Sequence, residues 1–138
     1  MKELNVEIIT PSKVAFQGQV KSISIPGTVG NFQVLYNHAP LLSSFEIGRI
    51  KIVDINELET EFSTSGGTVE VMTNKILVLA NSFERREEID VERAKVSYER
   101  AKERLANKNK EKIDEVRAEA SLTRALNRLK FVGRNNLN

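Results

Sequence analysis

Several residue types that carry chemistry in other proteins are scarce or absent in this chain of 138 residues. Cysteine and tryptophan are absent, and there is one histidine. Without cysteine the chain forms no disulfide and offers no thiolate, which fits a reducing compartment. The aromatic share of 6% predicts a modest hydrophobic core. One histidine without cysteines or acids at ligand spacing does not make a metal site, so we expect no bound metal.

Long apolar segments are missing as well. The longest uninterrupted apolar run is Ile76–Ala80. A membrane-spanning helix needs about 20 apolar residues. The N-terminus also lacks the basic and then apolar pattern of a secretion signal or an import presequence. We therefore expect a soluble protein that is neither secreted nor imported, a prediction that leaves room for a position beside a membrane.

Charge is divided unevenly along the chain. Residues 1–84 contain 6 lysines and arginines against 9 acids, a formal balance of −3. Residues 85–138 contain 15 against 10, a balance of +5. Two parts of opposite net charge suggest two surfaces with different partners. The alternative is that the charged residues of the second part simply form the solvent-exposed face of a helix.

Residues 1–84 alternate apolar and polar side chains, as strands with one buried face do. Gly18, Pro26-Gly27 and Gly66-Gly67 interrupt this alternation at positions that suggest turns. Eight or nine short strands result, at the spacing typical of a sandwich or barrel. The pattern predicts a compact antiparallel β-sandwich over residues 1–84.

His38 is the histidine of the chain, and it lies in the segment Tyr36–Pro40. Asn37 tolerates a positive φ, and the residue before Pro40 is driven to an extended conformation. No serine or acid can be assigned to His38 as a catalytic partner. The segment is therefore interpreted as a shaped turn that displays His38 at a contact surface.

The hydrophobic period changes at Ile89–Ala94. Before this segment apolar residues recur every second position, and after it they recur every three or four. Asp90 is suited to accept hydrogen bonds from the first turn of a helix, and Glu92 adds a second acid near the positive end of the helix dipole. A helical part is therefore predicted over residues 85–138.

Two helices are predicted in this second part. The apolar seam of the first is Val91, Ala94, Tyr98, Ala101 and Leu105. The second is predicted from about Lys112 to Phe131, with Ala118, Leu122, Ala125, Leu129 and Val132 in its seam and with Ile113, Val116 and Ala120 widening it. A polar turn is predicted at 107–110. The fold class is thus α+β, an N-terminal antiparallel β-sandwich followed by a C-terminal antiparallel two-helix hairpin.

Arginines are placed regularly on both predicted helices. In an antiparallel hairpin that turns near residue 108, Arg93 lies level with Arg124, and Arg128 lies level with Ile89. Three guanidinium groups beside a helix N-terminus suit a phosphate. The alternative is that these arginines point to solvent or pair with neighbouring glutamates.

Five stretches carry a resemblance to a known family. Asn37-His38-Ala39-Pro40-Leu41-Leu42 is similar to a Gly-His-Ala-Pro-Leu-Leu turn, and Ile89-Asp90-x-x-Arg93-Ala94 matches an Ile/Leu-Asp-x-x-Arg-Ala motif. Ser65–Val71, Leu77–Ala80 and Arg124–Leu129 follow the same family pattern. In this order and at this spacing, the chain resembles the epsilon subunit of bacterial rotary (F-type) ATP synthase over nearly its full length.

The resemblance implies a non-catalytic subunit in the central rotor stalk of the proton-translocating enzyme. Its partners would be the gamma subunit and the c-subunit ring, bound by the sandwich, and the beta subunits of the catalytic head. The hairpin would switch between a compact state and an extended one that inhibits ATP hydrolysis. The subunit would be peripheral to the cytoplasmic face of the bacterial cell membrane.

The resemblance also implies a regulatory ligand, since several relatives bind ATP on the compact hairpin. No cofactor is required for the subunit itself. The nucleotide-binding residues carried over by position are Glu84, Ile89, Asp90, Arg93, Ala94, Arg124 and Arg128.

Two positions are expected to contact partners, Asn31 and His38. Asn31 occupies a place where some relatives have an acid facing the c ring, so this contact is expected to be less charged here. Tyr36-Asn37 also replaces the usual Pro-Gly before the histidine.

A rival from another class is a nucleic-acid-binding module that uses the basic hairpin. Ten acids are interleaved with its 15 basic residues, and Tyr98 and Phe131 are the only aromatics available for stacking on bases. An independent enzyme is disfavoured further, because no acid pair, metal cluster or glycine-rich phosphate loop occurs in the sequence. No nucleic acid partner is therefore expected.

Overall fold

A computed structural model describes residues 2–107 and 114–136 of the chain. The fold divides into two compact units, and the division falls between Arg85 and Arg86. The first is a β unit and the second is a helical unit.

The β unit contains seven strands. They are β1 (Leu4–Ile9), β2 (Val14–Gly27), β3 (Gly30–Val34), β4 (Leu41–Asp54), β5 (Glu59–Met72), β6 (Lys75–Ala80) and β7 (Phe83–Glu84). The prediction of eight or nine short strands was wrong in number, because β2, β4 and β5 are continuous strands of 14 residues each.

At the positions where the sequence suggested turns, glycines lie inside these long strands. Gly18 pairs with Val6 inside β2, so the predicted turn at this position was wrong. Gly66 and Gly67 lie inside β5 with φ values of 104° and 157°. A Cβ at Gly67 would lie 2.0 Å from the carbonyl oxygen of Leu79, so glycine is required where β5 approaches β6 this closely.

The strands close on themselves in the order β1-β6-β5-β4-β2, and β2 also pairs with β1 and with the edge strand β3. The first half of β2 pairs with β1 and its second half with β4. Closure leaves few free strand edges for unwanted pairing. The predicted sandwich class is confirmed, with one correction: β1 and β6 run parallel, while the other pairs are antiparallel.

The apolar side chains of the alternating pattern fill the interior of the β unit. In β1 the buried side chains are Leu4, Val6 and Ile8, and the residues between them are more exposed. Phe62 and Phe83 stack with ring centroids 4.2 Å apart. The buried cluster consists of Leu4, Val6, Ile8, Val20, Ile23, Ile25, Val34, Phe45, Ile50, Ile52, Phe62, Val69, Val71, Ile76, Val78, Ala80 and Phe83.

The helical unit contains a 3-10 helix at Arg86–Glu88, then α1 (Val91–Ala106) and α2 (Glu115–Asn136). Asp90 is the N-cap of α1, and its Oδ1 accepts a hydrogen bond of 3.0 Å from the backbone N–H of Arg93, which confirms the predicted cap. Asp114 acts in the same way before α2, accepting from the N–H of Arg117 at 3.0 Å.

The predicted limits of α2 need correction. The helix runs beyond the predicted end at Phe131 to Asn136. Its predicted start at Lys112 and most of the predicted turn at 107–110 lie outside the described residues. Asn107, the first residue of that turn, is the C-cap of α1.

Small side chains occupy the centre of the helix interface. Ala94 and Ala101 of α1 and Ala118 and Ala125 of α2 are buried, whereas the larger residues of both predicted seams are half-buried. The prediction that Val116 widens the seam was wrong, because this side chain is 78% exposed. Ile113 lies outside the described residues.

No helix in the described ranges, 2–107 and 114–136, has the length and apolar character needed to cross a membrane.

Candidate functional site

The segment before α1 is built by local hydrogen bonds. The N–H of Ile89 donates to the carbonyl of Arg86 at 3.2 Å, and the side chain of Ile89 is buried. Asp90 follows in an extended conformation with φ −78° and ψ 99°. The N–H of Ala94 then donates to the carbonyl of Asp90 at 3.0 Å, which closes the first helical turn. This sequence of turns fixes the start of α1.

Two predicted ligand residues of α1 differ in exposure. Ala94 is buried in the helix interface, and Arg93 is exposed. The backbone N–H of Arg93 is already bonded to the Asp90 carboxylate. A phosphate at this helix end would therefore have to be held mainly by guanidinium groups rather than by that N–H group.

Arg124 and Arg128 lie on α2 and are both half-buried. The Nη2 atom of Arg124 donates to the hydroxyl oxygen of Ser121 at 3.1 Å. Ser121 lies one turn before Arg124 on the same helix, so the bond steers the guanidinium along the helix surface.

A contact that the sequence did not predict shows which helix ends meet. The Nε of Arg86 donates to the carbonyl oxygen of Phe131 at 3.1 Å. Arg86 precedes α1 and Phe131 lies near the end of α2, so the start of one helix lies beside the end of the other. The helices are antiparallel, and Asp90, Arg93 and Arg128 belong to the same end of the hairpin.

Glu84 lies in the other unit. It is half-buried in β7 and pairs with Ser63 of β5. It is thus placed by strand pairing, whereas the six other predicted nucleotide-binding residues are placed by the segment before α1 and by the two helices.

The predicted contact turn around His38 has a defined geometry. Asn37 adopts φ 64°, as its residue type allows, and its N–H donates to the Oδ1 of Asn74 at 2.7 Å. The Nδ1 of His38 donates to the carbonyl oxygen of Ala39 at 2.7 Å. A carbonyl can only accept, so Nδ1 carries a proton in this contact. The turn is therefore fastened to the β5–β6 connection.

Asn31, the other predicted contact residue, is exposed at the start of β3 and pairs with Pro26 of β2. Charged side chains of neighbouring strands line a shallow notch beside it. Within the notch Arg49 bonds to Glu61 at 2.7 Å, and Lys51 lies 3.0 Å from Glu59. The positive groups here are paired, so the surface beside Asn31 is polar with little excess charge.

The described residues offer little acid–base or metal chemistry. Among residues 2–107 and 114–136, no three of the side chains of histidine, aspartate and glutamate are grouped so that they could hold a metal ion. A hydrogen bond from Lys21, together with its charge, lowers the pKa of Glu57 below its ordinary value. Glu57 is at a fully exposed turn, which is the setting of a surface ion pair rather than of a catalytic acid.

The fold and these contacts define a class: a two-part protein in which a closed β-sandwich carries a separate two-helix unit with basic side chains. Comparison with known proteins agrees with each part. Residues 3–86 match the family model of the beta-sandwich domain of the ATP synthase delta/epsilon chain. Residues 87–133 match the model of the long alpha-helix domain of the same chain.

Curated relatives point to the same family. The chain is 42% identical over 111 residues to the ATP synthase epsilon chain of Salinibacter ruber, covering 75% of this chain and 74% of the relative. It is 46% identical over 107 residues to that of Pelotomaculum thermopropionicum, covering 78% and 79%. The chain therefore belongs to the ATP synthase delta/epsilon chain family, and the predicted resemblance to the epsilon subunit is confirmed.

Solved structures share the fold at low identity. A chain in the Euglena gracilis mitochondrial ATP synthase structure, which contains OSCP, F1 and the c-ring, superposes with a TM-score of 0.78 at 17% identity and covers 100% of this chain and 83% of that one. A chain in the Tetrahymena thermophila central stalk and c-ring structure has a TM-score of 0.59 at 14% identity, covering 96% and 95%.

Proposed function

We propose that this chain is a non-catalytic rotor-stalk subunit that links the catalytic head of ATP synthase to its membrane ring. Its sandwich binds the gamma subunit and the c-subunit ring, and its hairpin regulates ATP hydrolysis. The observation that carries the proposal is that both family domains are present, in order, in a chain whose curated relatives are epsilon chains. The subunit is then peripheral to the cytoplasmic face of the bacterial membrane.

An apolar face of the sandwich supports binding to gamma. Leu42, Met72 and Leu79 come from the adjacent strands β4, β5 and β6, and each is largely exposed. Strand register puts them on one face, since Leu42 pairs with Glu70 and Leu79 pairs with Thr68. Leu42 alone is 75% exposed. Thr68 and Glu70 of β5 lie between Leu42 and Leu79, so this face mixes exposed apolar and polar side chains, as many binding surfaces do.

The His38 turn lies at the end of the same strands. It leads into β4, which begins at Leu41, and its backbone is tied to Asn74 in the β5–β6 turn. The exposed end of the sandwich therefore offers His38 and apolar side chains together, and we assign His38 to the gamma contact. The exposed Asn31 is assigned to the c ring.

The helical unit is proposed to open. Four of its buried side chains are alanines, and an alanine methyl contributes about a third of what a buried leucine does. An interface of this kind lets the two helices approach closely, but it contributes a small free energy to their association. In the extended state the helices would reach the beta subunits, and the excess of basic residues in 85–138 would favour an acidic segment there.

ATP is proposed as the ligand of the compact hairpin. Arg124 and Arg128 are half-buried on α2, and Arg93 is exposed at the opposing helix start. Guanidinium forks bind phosphate oxygens in pairs, which suits the triphosphate. The carboxylate of Asp90 is engaged in capping, so Ile89, Asp90 and Ala94 would contact the uncharged part of the nucleotide. Glu84 belongs to the β unit and stays a prediction from the resemblance alone.

Titration of ATP into the isolated full-length chain tests the ligand. Hairpin compaction should rise with ATP, because a ligand shifts an equilibrium by its difference in affinity for the two states. Arg124→Gln and Arg128→Gln should weaken the response about tenfold or more, from the loss of a charge-assisted bond. Arg104→Gln, in the last turn of α1 and away from the site, is the control. Absence of binding at millimolar ATP would reject the ligand.

Deletion of residues 88–138 tests the inhibitory role separately. The assembled enzyme with the deletion should hydrolyse ATP faster than the wild type, while the sandwich still supports assembly. Equal hydrolysis rates, with assembly intact, would contradict inhibition by the hairpin.

A further inference from the structure

Arg86 and Phe131 are in contact at the open end of the hairpin, where α1 begins and α2 ends. The Nε–O distance is 3.1 Å, and the guanidinium carbon Cζ lies 4.2 Å from the centre of the Phe131 ring. The two residues are 45 positions apart in sequence. Phe131 is only 1% exposed, so the ring is fully enclosed by its neighbours. Neither residue belongs to the predicted nucleotide-binding set.

The backbone of Arg86 controls the start of α1. Arg86 opens the 3-10 helix Arg86–Glu88, and its carbonyl accepts from the N–H of Ile89. Ile89 leads directly into the Asp90 cap. The backbone of Arg86 therefore takes part in the turn before α1, and its side chain contacts the end of α2.

Three physical effects favour this contact. A hydrogen bond from a charged donor to a carbonyl is stronger than a neutral one, and here it is partly buried. A guanidinium over an aromatic face gains cation–π attraction, more so when water is excluded. A cation near the last turns of a helix also meets the negative end of its dipole. The buried residues at the centre of the interface are alanines, which each contribute little, so a contact at its open end adds a larger fraction of the closure free energy than it would beside buried leucines.

We propose that the Arg86–Phe131 contact is a latch that holds the hairpin closed without nucleotide. Opening α1 from α2 requires the guanidinium to leave both the carbonyl and the ring of Phe131. Arg86 is then also a positioning residue, because it keeps Ile89–Ala94 beside the end of α2 that carries Arg128. The latch rests on the proposed opening of the hairpin, and this second role rests in addition on the proposed nucleotide site.

A distance measurement in the full-length chain tests the latch. The chain has no cysteine, so Val96→Cys and Thr123→Cys introduce two unique labelling sites on exposed positions of α1 and α2. Spin labels there report closed and open populations by pulsed electron resonance. Without nucleotide, Arg86→Ala should lower the closed-to-open ratio about tenfold, from the loss of a charge-assisted bond and a cation–π contact.

Two further variants separate the latch from a general loss of charge. Arg86→Lys keeps the charge but not the Nε donor or the planar guanidinium, and should recover only part of the closed population. Arg85→Ala removes the neighbouring arginine, which lies over Phe62 in the β unit, and should leave the distribution unchanged. An unchanged distribution in Arg86→Ala, or an equal shift in Arg85→Ala, would overturn the proposal.

A double-mutant cycle with Phe131→Leu assigns the effect to this pair. Phe131→Leu removes the ring but keeps the backbone carbonyl, so Arg86→Ala should change the ratio less in the Phe131→Leu background than in the wild type, while the loss of the hydrogen bond remains in both. Independent, additive effects would overturn the part of the latch that the ring supplies. Should Phe131→Leu open the hairpin completely, Arg86→Ala and Arg86→Lys in the wild-type background still decide the question.

ATP addition distinguishes the latch from the proposed ligand site. If both hold, ATP should close the hairpin of Arg86→Ala again, at a several-fold higher concentration than the wild type needs. If ATP has no effect on any variant while Arg86→Ala opens the hairpin, the ligand site fails and the latch stands. If ATP closes a hairpin that Arg86→Ala does not open, the latch fails and the ligand site stands.

Discussion

The two units of this chain are stabilised in different ways. The β unit encloses seventeen buried apolar side chains, nearly all of them valine, isoleucine, leucine or phenylalanine. Among its described residues the helical unit buries Ile89, Phe131 and four alanines. Burial of a large apolar side chain contributes about 1.5–3 kcal/mol, and a methyl group about 0.8 kcal/mol. The β unit is thus suited to a fixed scaffold, and the helical unit to a change of state.

The strand network adds to this difference. Three strands of 14 residues run through the closed sheet, so local opening of the β unit would break pairing on both sides of a strand. Within residues 86–107 and 114–136 the helical unit has one helix–helix interface. Separation of α1 from α2 leaves the backbone hydrogen bonds within each helix intact.

Truncation of a core residue should have the largest effect. Ile50 is fully buried in β4, and Ile50→Ala should destabilise the β unit by about 2–5 kcal/mol through lost burial and a cavity. Urea unfolding followed by amide signals of each unit measures this. Leu58→Ala, at a largely exposed position, is the control and should stay within about 0.5 kcal/mol. Equal effects would contradict the assignment of the core.

A glycine substitution should come next. Gly67→Ala places a Cβ 2.0 Å from the Leu79 carbonyl oxygen at a positive φ, and should cost the β unit about 3 kcal/mol through strain. Gly18→Ala is the matched control, because its nearest neighbour is a Phe16 side-chain atom at 3.8 Å. The same urea experiment compares the two. Equal free energies of unfolding in the two variants would mean that the backbone around Gly67 can move to make room for a side chain.

Widening the helix interface should act on the other unit alone. Ala101 is buried in the seam, so Ala101→Leu should destabilise hairpin closure by about 1–3 kcal/mol through overpacking. Spin-label distances between α1 and α2 report the opening. Ala106→Leu, the same substitution at an exposed position of α1, should leave the closed population as it is. Loss of stability in the β unit would show that the units do not respond separately.

Loss of the cap should have a smaller effect. Asp90→Ala removes the acceptor for the Arg93 N–H and should cost α1 about 0.5–2 kcal/mol. Asp90→Asn keeps an acceptor at the cap and should recover most of the helix content measured by circular dichroism. Equal helix loss in both variants would mean that the charge matters and the capping bond does not.

The smallest effect is expected at the surface pair Lys21–Glu57. Lys21 lowers the pKa of Glu57, so the pair favours the folded state above the ordinary pKa of a glutamate, and this contribution is lost as the pH falls through the lowered pKa. Lys21→Met should bring the pKa of Glu57 back towards its ordinary value in an NMR titration, with little change in stability. An unchanged pKa would remove Lys21 as the cause.

The sequence predicted a β part followed by a helical part, because the hydrophobic period reflects backbone geometry directly. The change at Ile89–Ala94 coincides with the first turn of α1, and Asp90 caps it as its residue type suggested. The turn at Asn37 was also predicted, from a residue that tolerates positive φ.

The strand limits could not be predicted in the same way. Glycine serves both to end a strand and to bend one, so Gly18 and Gly66-Gly67 were interpreted as turns although they lie within β2 and β5. The parallel pairing of β1 with β6 joins segments about 70 residues apart, and local alternation contains no information about such a partner.

The contact between Arg86 and Phe131 was missed for a physical reason as well. Phe131 lies between Leu129 and Val132 in sequence, outside the regular seam, and Arg86 lies in the segment that precedes the helical period. Only the packed hairpin brings the two together. The nucleotide-binding and partner-contact residues stay predictions.

Native-state hydrogen exchange on the full-length chain tests the contrast between the two units most directly. Amides of α1 and α2 that are exposed when the helices separate and their ends fray should exchange through an opening of low free energy. Buried amides of β1, β4 and β5 should exchange only at the free energy of unfolding of the β unit, which is higher. Exchange of both units through one common opening, with equal free energies, would contradict a helical unit that changes state on a fixed scaffold.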